Sequence, residues 1–163
     1  GEGFRTVSPG VFENSGATLR RGVEADVRWA PDHQLEFSLV YAFADSEVEE
    51  NANPALIGRL VPGVPENTAT VSAAWTPFPA FRVNAGWRYV GEYAVNAANT
   101  GFAPAYDLFD LGVSYDLATR TPVRLYANID NLTDETYAAS FNSPTSIAPG
   151  APVSLRAGLQ VGF

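Results

Sequence analysis

Few side chains in this sequence combine the type and the spacing that chemistry needs. His33 is the only histidine among 163 residues. It falls in a short turn signal, Ala30-Pro31-Asp32-His33, where a solvated turn residue is the plainer assignment than a catalyst or a metal ligand. Cysteine is absent, which removes thiolate nucleophiles, thiolate metal sites and disulfides together. Beyond His33 no Ser-His-Asp set can be assembled, and no phosphate-cradling glycine loop appears. No catalytic residue, metal ligand or cofactor is therefore assigned, and the chain is expected not to be an enzyme. Asp45, Glu47, Glu49 and Glu50 lack the spacing of a calcium loop and read as a solvated acidic loop. What remains is binding chemistry. Arg82, Arg88 and Arg124 can hold an anion or form ion pairs within a wall. Tyr93, Phe102, Tyr106, Tyr137 and Phe141 can stack on a chelate or pack loops against one another.

Composition narrows the setting for those groups. The net charge is -8 and the isoelectric point about 4.5, so the clustered basic surface that nucleic acid demands is missing. Aromatic residues make up 12% and charged residues 17%, against the ~25% charged residues usual in soluble domains. No run of eighteen apolar residues occurs, which excludes a membrane-spanning helix; any membrane crossing must use strands. The chain opens at Gly1 and contains no methionine, as expected of a mature or truncated product.

The elements that must position these groups show a period of two, the spacing at which successive side chains of a strand face opposite ways. In residues 18–29, Leu19, Val23, Ala25, Val27 and Trp29 share one face, and Arg20, Gly22, Glu24, Asp26 and Arg28 the other. The same alternation recurs in residues 35–43, 68–75, 81–89, 109–117, 123–130 and 153–163, giving seven expected strands. Phe4 to Val7 can supply an eighth. Short turns are expected at 30–34, 76–80 and 117–122, and long loops at 45–66, 91–105 and 132–151. That asymmetry is typical of transmembrane barrels, and strands of about eleven residues at ~3.3 Å each, tilted ~45°, rise about 25 Å, the height of their apolar band.

Alternation alone does not separate a membrane barrel from a soluble β-sandwich, which hides its apolar face in a core. Aromatic placement does favour the membrane. Trp29, Trp75, Phe78, Phe81 and Tyr115 fall at the short-turn ends, and Phe43, Tyr89 and Phe109 toward the long-loop ends, as two belts. The opposite face mixes Arg28, Arg82, Arg88, Arg124 and Arg156 with Glu24, Asp26, Glu36, Asp110, Asp116 and Asp130, suiting a hydrated or plugged lumen. The fold class expected is all-β: seven or eight up-and-down antiparallel strands of a transmembrane β-barrel, covering residues 1–163.

From about Arg20 onward the sequence also resembles a family. Arg20-Arg21-Gly22-Val23-Glu24-Ala25-Asp26 resembles a strand opening of TonB-dependent outer-membrane receptors. Pro62-Gly63-Val64-Pro65-Glu66-Asn67-Thr68 is similar to the Pro-rich approach to their next strand. Leu125 to Tyr137 resembles their penultimate strand with its Asn-Leu-x-Asp-x-x-Tyr ending, here Asn131, Leu132, Asp134 and Tyr137. Pro149-Gly150-Ala151-Pro152 and the alternation to Phe163 resemble their last strand, although Val153 stands where many relatives place Arg. The resemblance implies the C-terminal part of a 22-stranded barrel in the bacterial outer membrane, in contact with lipid. It implies Phe163 as the assembly signal read by the barrel-assembly machinery, and uptake of a ferric siderophore or a similarly scarce ligand. Power would come from the TonB complex through an N-terminal plug and its TonB box, neither of which the 163 residues contain. On that basis the arginines could hold an anionic siderophore or pair with plug carboxylates. The alternative is a small complete eight-stranded outer-membrane barrel, porin-like or structural.

Overall fold

A computed structural model of the chain describes residues 2–8, 11–143 and 146–162. Phe163 lies outside the described residues. The elements in order are β1 (Glu2–Ser8), β2 (Val11–Trp29), β3 (Leu35–Asn51), a 3-10 turn (Pro54–Leu56), β4 (Asn67–Phe78), β5 (Phe81–Val90) and β6 (Tyr93–Ala94). They continue with β7 (Phe102–Ala103), β8 (Tyr106–Leu117), β9 (Val123–Asp130), β10 (Ala138–Ser143), β11 (Ser146–Pro149) and β12 (Ser154–Val161). Eight of the strands form one sheet in the order β1-β2-β3-β4-β5-β8-β9-β12. Every ladder in it is antiparallel, so the chain simply meanders. The eighth strand expected at Phe4 to Val7 is present within β1.

Register carries the sequence alternation across the whole sheet. Trp29 pairs with Phe37, Leu39 with Val71, Val71 with Trp87, Trp87 with Phe109, and Ile129 with both Leu111 and Leu155. Odd-numbered apolar residues therefore line one face, broken toward the long-loop end by Arg21, Asp45 and Asp107, because a slip of one residue would send a whole strand's side chains to the wrong side. That face has no protein cover: Leu155 is 70% exposed and Val23 and Leu159 are each 64% exposed. Among the described residues the buried apolar side chains are only Val48, Leu108, Ala69, Ala74, Ala94 and Ala103. A sandwich of this length would bury Leu, Val and aromatic side chains between two layers. Leu39, Leu111 and Leu159 instead lie exposed, which rules out the dry-core alternative.

Among the described residues β1 pairs only with β2, and β12 only with β9. The sheet is open, and the small closed eight-stranded barrel is not favoured. In hydrocarbon, two such edges would leave rows of unpaired N–H and C=O groups.

The connections follow the expected short-long alternation, with two corrections. The first short turn is pinned by Asp32, whose Oδ1 accepts from the backbone N–H of Gln34 at 2.7 Å and of Leu35 at 3.0 Å. β3, however, runs to Asn51 instead of stopping near Phe43, and β2 begins at Val11 instead of Thr18. At 17 and 19 residues these strands are about 55–65 Å long at ~3.3 Å per residue, so their far ends project well past any apolar band. The acidic stretch that reads as loop is strand because it pairs on both sides. Its second partner is the chain after the 3-10 turn, where Val48 donates to Arg59 O at 2.8 Å, Gly58 to Val48 O at 2.8 Å and Val61 to Ser46 O at 3.1 Å. The second correction is that the two remaining long loops contain the small hairpins β6–β7 and β10–β11.

Candidate functional site

The polar face is the concave one. A hollow of about 850 Å³ is lined by polar residues such as Arg28, Glu36, Arg82, Asp110, Asp130 and Arg156, contributed by strands from β2 to β12, and by parts of odd-numbered residues such as Leu111 and Ile129. Curvature toward that side is what a barrel wall requires. Its charges neutralise one another within a strand, between neighbouring strands and across an intervening one. Arg82 Nη2 donates to Glu36 Oε2 at 3.0 Å and its Nε to Asn84 Oδ1 at 3.0 Å. Arg124 grips Asp116 bidentately at 2.6 and 2.9 Å. Arg156 Nη2 donates to Asp130 Oδ2 at 2.7 Å, and Arg28 lies 3.6 Å from Asp26. Two of the three arginines singled out in the sequence, Arg82 and Arg124, are thus held by the wall itself. Arg88 is held by none of the described carboxylates.

Four of the five candidate rings converge at the long-loop end. Tyr106 and Tyr137 lie with ring centroids 4.6 Å apart, and Tyr93 meets Phe141 edge-on at 6.1 Å. Phe102 is exposed on β7 and forms no ring pair among the described residues. Tyr106 pairs with Val90 and Leu108 with Arg88, so Arg88 and Tyr106 are diagonal neighbours on the same face, within reach of long side chains. The Tyr106 phenol can donate a hydrogen bond at this end of the wall. A second hollow of about 380 Å³ links Arg88 and Tyr137 with Asp110, Asp130, Asn131 and Arg156.

Two asparagines absent from the sequence-based candidates position this end. Asn131, 5% exposed and at φ 51°, donates through Nδ2 to Glu135 O at 2.9 Å and Ala151 O at 3.1 Å. Its Oδ1 accepts from Glu135 N–H at 2.8 Å, and its own N–H reaches Asp110 at 3.0 Å. The Asn131-x-x-Asp134 spacing signals this turn, because Asp134 Oδ1 in turn accepts from Val153 N–H at 2.9 Å. The chain returns at Gly150, where the Tyr137 ring lies so close that a Cβ would collide with it. Asn99 has no such signal in its Asn/Ala-rich loop. It clips that loop to the preceding one by accepting from Leu60 N–H at 2.7 Å and donating to Leu60 O at 3.0 Å. Gly63 N–H adds a bond to Ala94 O at 2.9 Å, and Ala94 and Ala103, at 1% and 2% exposure, are the best-buried apolar residues described. The tightest packing thus sits in the loop rim and not between the strands.

Among the described residues no group of three or more His, Asp or Glu side chains could hold a metal ion, and His33 is exposed in its turn. The arrangement can cradle a ligand: rings and phenols at the rim, Arg88 beneath them with no carboxylate partner among the described residues, and a polar wall below.

Comparison with known proteins gives the same picture. The family model described as TonB dependent receptor-like, beta-barrel, matches residues 2–132. The metal-pseudopaline receptor CntO of Pseudomonas aeruginosa is 28% identical over 96% of this chain and 22% of its own length. The probable TonB-dependent siderophore receptor PiuA of Acinetobacter baumannii is 26% identical over 80% of this chain and 19% of its own. The crystal structure of BauA, the ferric preacinetobactin receptor of A. baumannii, superposes with a TM-score of 0.83 at 27% identity, covering 93% of this chain and 23% of BauA. The chain spans about a fifth of the length of the curated relatives it matches.

Proposed function

The chain belongs to the TonB-dependent receptor β-barrel family, and on that premise we propose that it supplies wall and outer loops to a receptor that takes up a scarce metal chelate of the ferric-siderophore kind. Its setting, the bacterial outer membrane, follows from the family. The rest of the proposal is a complete 22-stranded barrel, with lipid around the odd face and a plug in the lumen. Energy would come from TonB through the plug, and insertion would be directed by the barrel-assembly machinery, with Phe163 as the signal. The long-loop end then faces outward, and the ligand is met by Arg88, Tyr93, Tyr106, Tyr137 and Phe141. Arg82 and Arg124 serve the wall, and Phe102 stands at the margin of the site.

The observation that carries this function is the convergence of two aromatic pairs above Arg88, which has no carboxylate partner among the described residues, at the end where the loops pack most tightly. Aromatic contacts contribute about 0.5–1.5 kcal/mol beyond area burial, so the Tyr106→Ala, Tyr137→Ala double variant of the full-length receptor is expected to bind its chelate at least about tenfold more weakly. Uptake of radiolabelled ferric chelates, supplied one at a time to iron-starved cells lacking other receptors, measures this. Uptake at the unmodified rate, with equal receptor in the membrane, would remove the site from the rim.

A further inference from the structure

β9 and β12 pair from Asp130 with Ser154 to Val123 with Val161, without a bulge. The connection between them, residues 131–153, is too long to dictate that register as a tight turn does. Their odd-numbered residues are all aliphatic: Ile129 meets Leu155, Ala127 meets Ala157 and Leu125 meets Leu159. A slip of one residue would turn these side chains toward the polar face, but a slip of two keeps every residue on its own face. The ion pair on the polar face does not forbid it. Arg156 reaches Asp130 at 2.7 Å from a diagonal position, since Ser154 stands opposite Asp130, and a slip of two in one direction would set the charges directly opposite.

One contact on the polar face admits a single register. Tyr126 stands opposite Gly158, and its ring lies so close across the glycine that a methyl group there would stand 2.7 Å from the hydroxyl oxygen and 2.9 Å from Cζ. A glycine inside a strand marks such a close approach. Moving β12 by two residues would put Arg156 or Gln160 beneath the ring instead, and either side chain fills the space the ring occupies. Asn131 and Asp134 tie Ala151 and Val153 at the loop end, but residues 157–161 lie beyond those ties. We propose that the Tyr126 ring seated on Gly158 is the register lock of the terminal strand, and that it fixes the height at which β12 presents its free edge. A slip of two residues would move that edge by about 6.6 Å along its axis. A partner for the edge belongs to the closed barrel proposed above; the lock does not depend on it, and its test reads the β9–β12 pair alone.

The test uses the full-length receptor, otherwise free of cysteine, in membrane vesicles. Leu125→Cys is combined in turn with Ala157→Cys, Leu159→Cys or Val161→Cys, the thiols are oxidised by air with copper phenanthroline, and disulfide-linked peptides are quantified by mass spectrometry. Directly opposed residues lie within the Cα separation a disulfide spans, and diagonal ones, about 7–8 Å apart, do not. With the lock intact the 125–159 bond should exceed each alternative by at least about tenfold, the range expected of an overpacked contact. Tyr126→Phe, which keeps the ring, should leave this pattern unchanged. Tyr126→Ala should raise the 125–157 or 125–161 bond to a yield comparable with 125–159. Gly158→Ala, which pushes the ring aside, should do the same, and adding it to Tyr126→Ala should have no further effect. Because Gly158→Ala adds only a methyl group, it reports even where Tyr126→Ala does not insert. Bonding confined to 125–159 in both alanine variants overturns the proposal, as does slippage in the unmodified receptor. Slippage in Asn131→Ala with Tyr126 in place would set the register at the loop base and overturn it as well.

Discussion

Arginine in place of Leu111 is expected to destabilise the membrane-inserted receptor by about 2–4 kcal/mol, whereas arginine in place of Ser72 should change stability by no more than ~0.5 kcal/mol. The two positions are close in height but lie on opposite faces. Leu111 pairs with Ala85 and Ile129 near the middle of the strands, on the face where Leu155, Val23 and Leu159 stand uncovered. Ser72 pairs with Ser38 and Gly86 and lines the 850 Å³ hollow, where a new guanidinium finds water and nearby carboxylates. A charge at the bilayer midplane loses its hydration; one in a hydrated lumen keeps it. Unfolding by urea in phospholipid vesicles gives both values. Two small, equal effects would mean that Leu111 does not face hydrocarbon.

The second large effect is expected at Asn131. Replacing it with alanine removes three side-chain hydrogen bonds, to Glu135 N–H, Glu135 O and Ala151 O, each contributing about 0.5–1.5 kcal/mol. It also places an alanine at φ 51°, where the left-handed conformation costs an L side chain roughly 1–2 kcal/mol. Together these predict a local loss of about 2.5–6.5 kcal/mol. The loss should be confined to residues 132–151, and it should free Tyr137 from its place against Gly150 and Tyr106. Asn131→Gly relieves the backbone cost but not the lost bonds, so it should fall between Asn131→Ala and the unmodified protein. Limited proteolysis of the folded receptor reads this directly: cleavage within 132–151 should be slowest in the unmodified protein, faster in Asn131→Gly and fastest in Asn131→Ala. Unchanged cleavage in both variants would show that the loop base is held by something else.

The parts of the fold that were legible in the sequence are those written in single residues. Alternation such as Phe109, Leu111, Val113, Tyr115 against Asp110, Gly112, Ser114, Asp116 is local, and with one face uncovered it fixes which side each strand presents. The short and long connections then make a meander the simplest topology. The projecting ends of β2 and β3 were not legible, because residues 45–50 carry no apolar alternation and are held by backbone bonds to both sides, which no side-chain pattern reports. The site divides in the same way. Residue type nominated Arg82, Arg88 and Arg124 equally. Only register separates them, since Glu36 meets Arg82 from 46 positions away and Asp116 meets Arg124 across a tight turn. The ring pairs Tyr93–Phe141 and Tyr106–Tyr137 join different loops, and Asn99 acts on a backbone 39 positions away. Long-range pairing of this kind leaves no periodic trace.

The central claim is that lipid covers the odd face and water the even face of one continuous sheet. Because these residues contain no cysteine, single nitroxide labels can be placed along β8 of the full-length receptor in vesicles, at Phe109, Asp110, Leu111, Val113, Ser114, Tyr115 and Asp116. Collision rates with dissolved oxygen, which concentrates in hydrocarbon, should be high at 109, 111, 113 and 115 and low at 110, 114 and 116, while a water-soluble nickel complex should reach none of the odd sites. Odd-numbered labels that both reagents fail to reach would reveal a protein layer over that face and contradict the account.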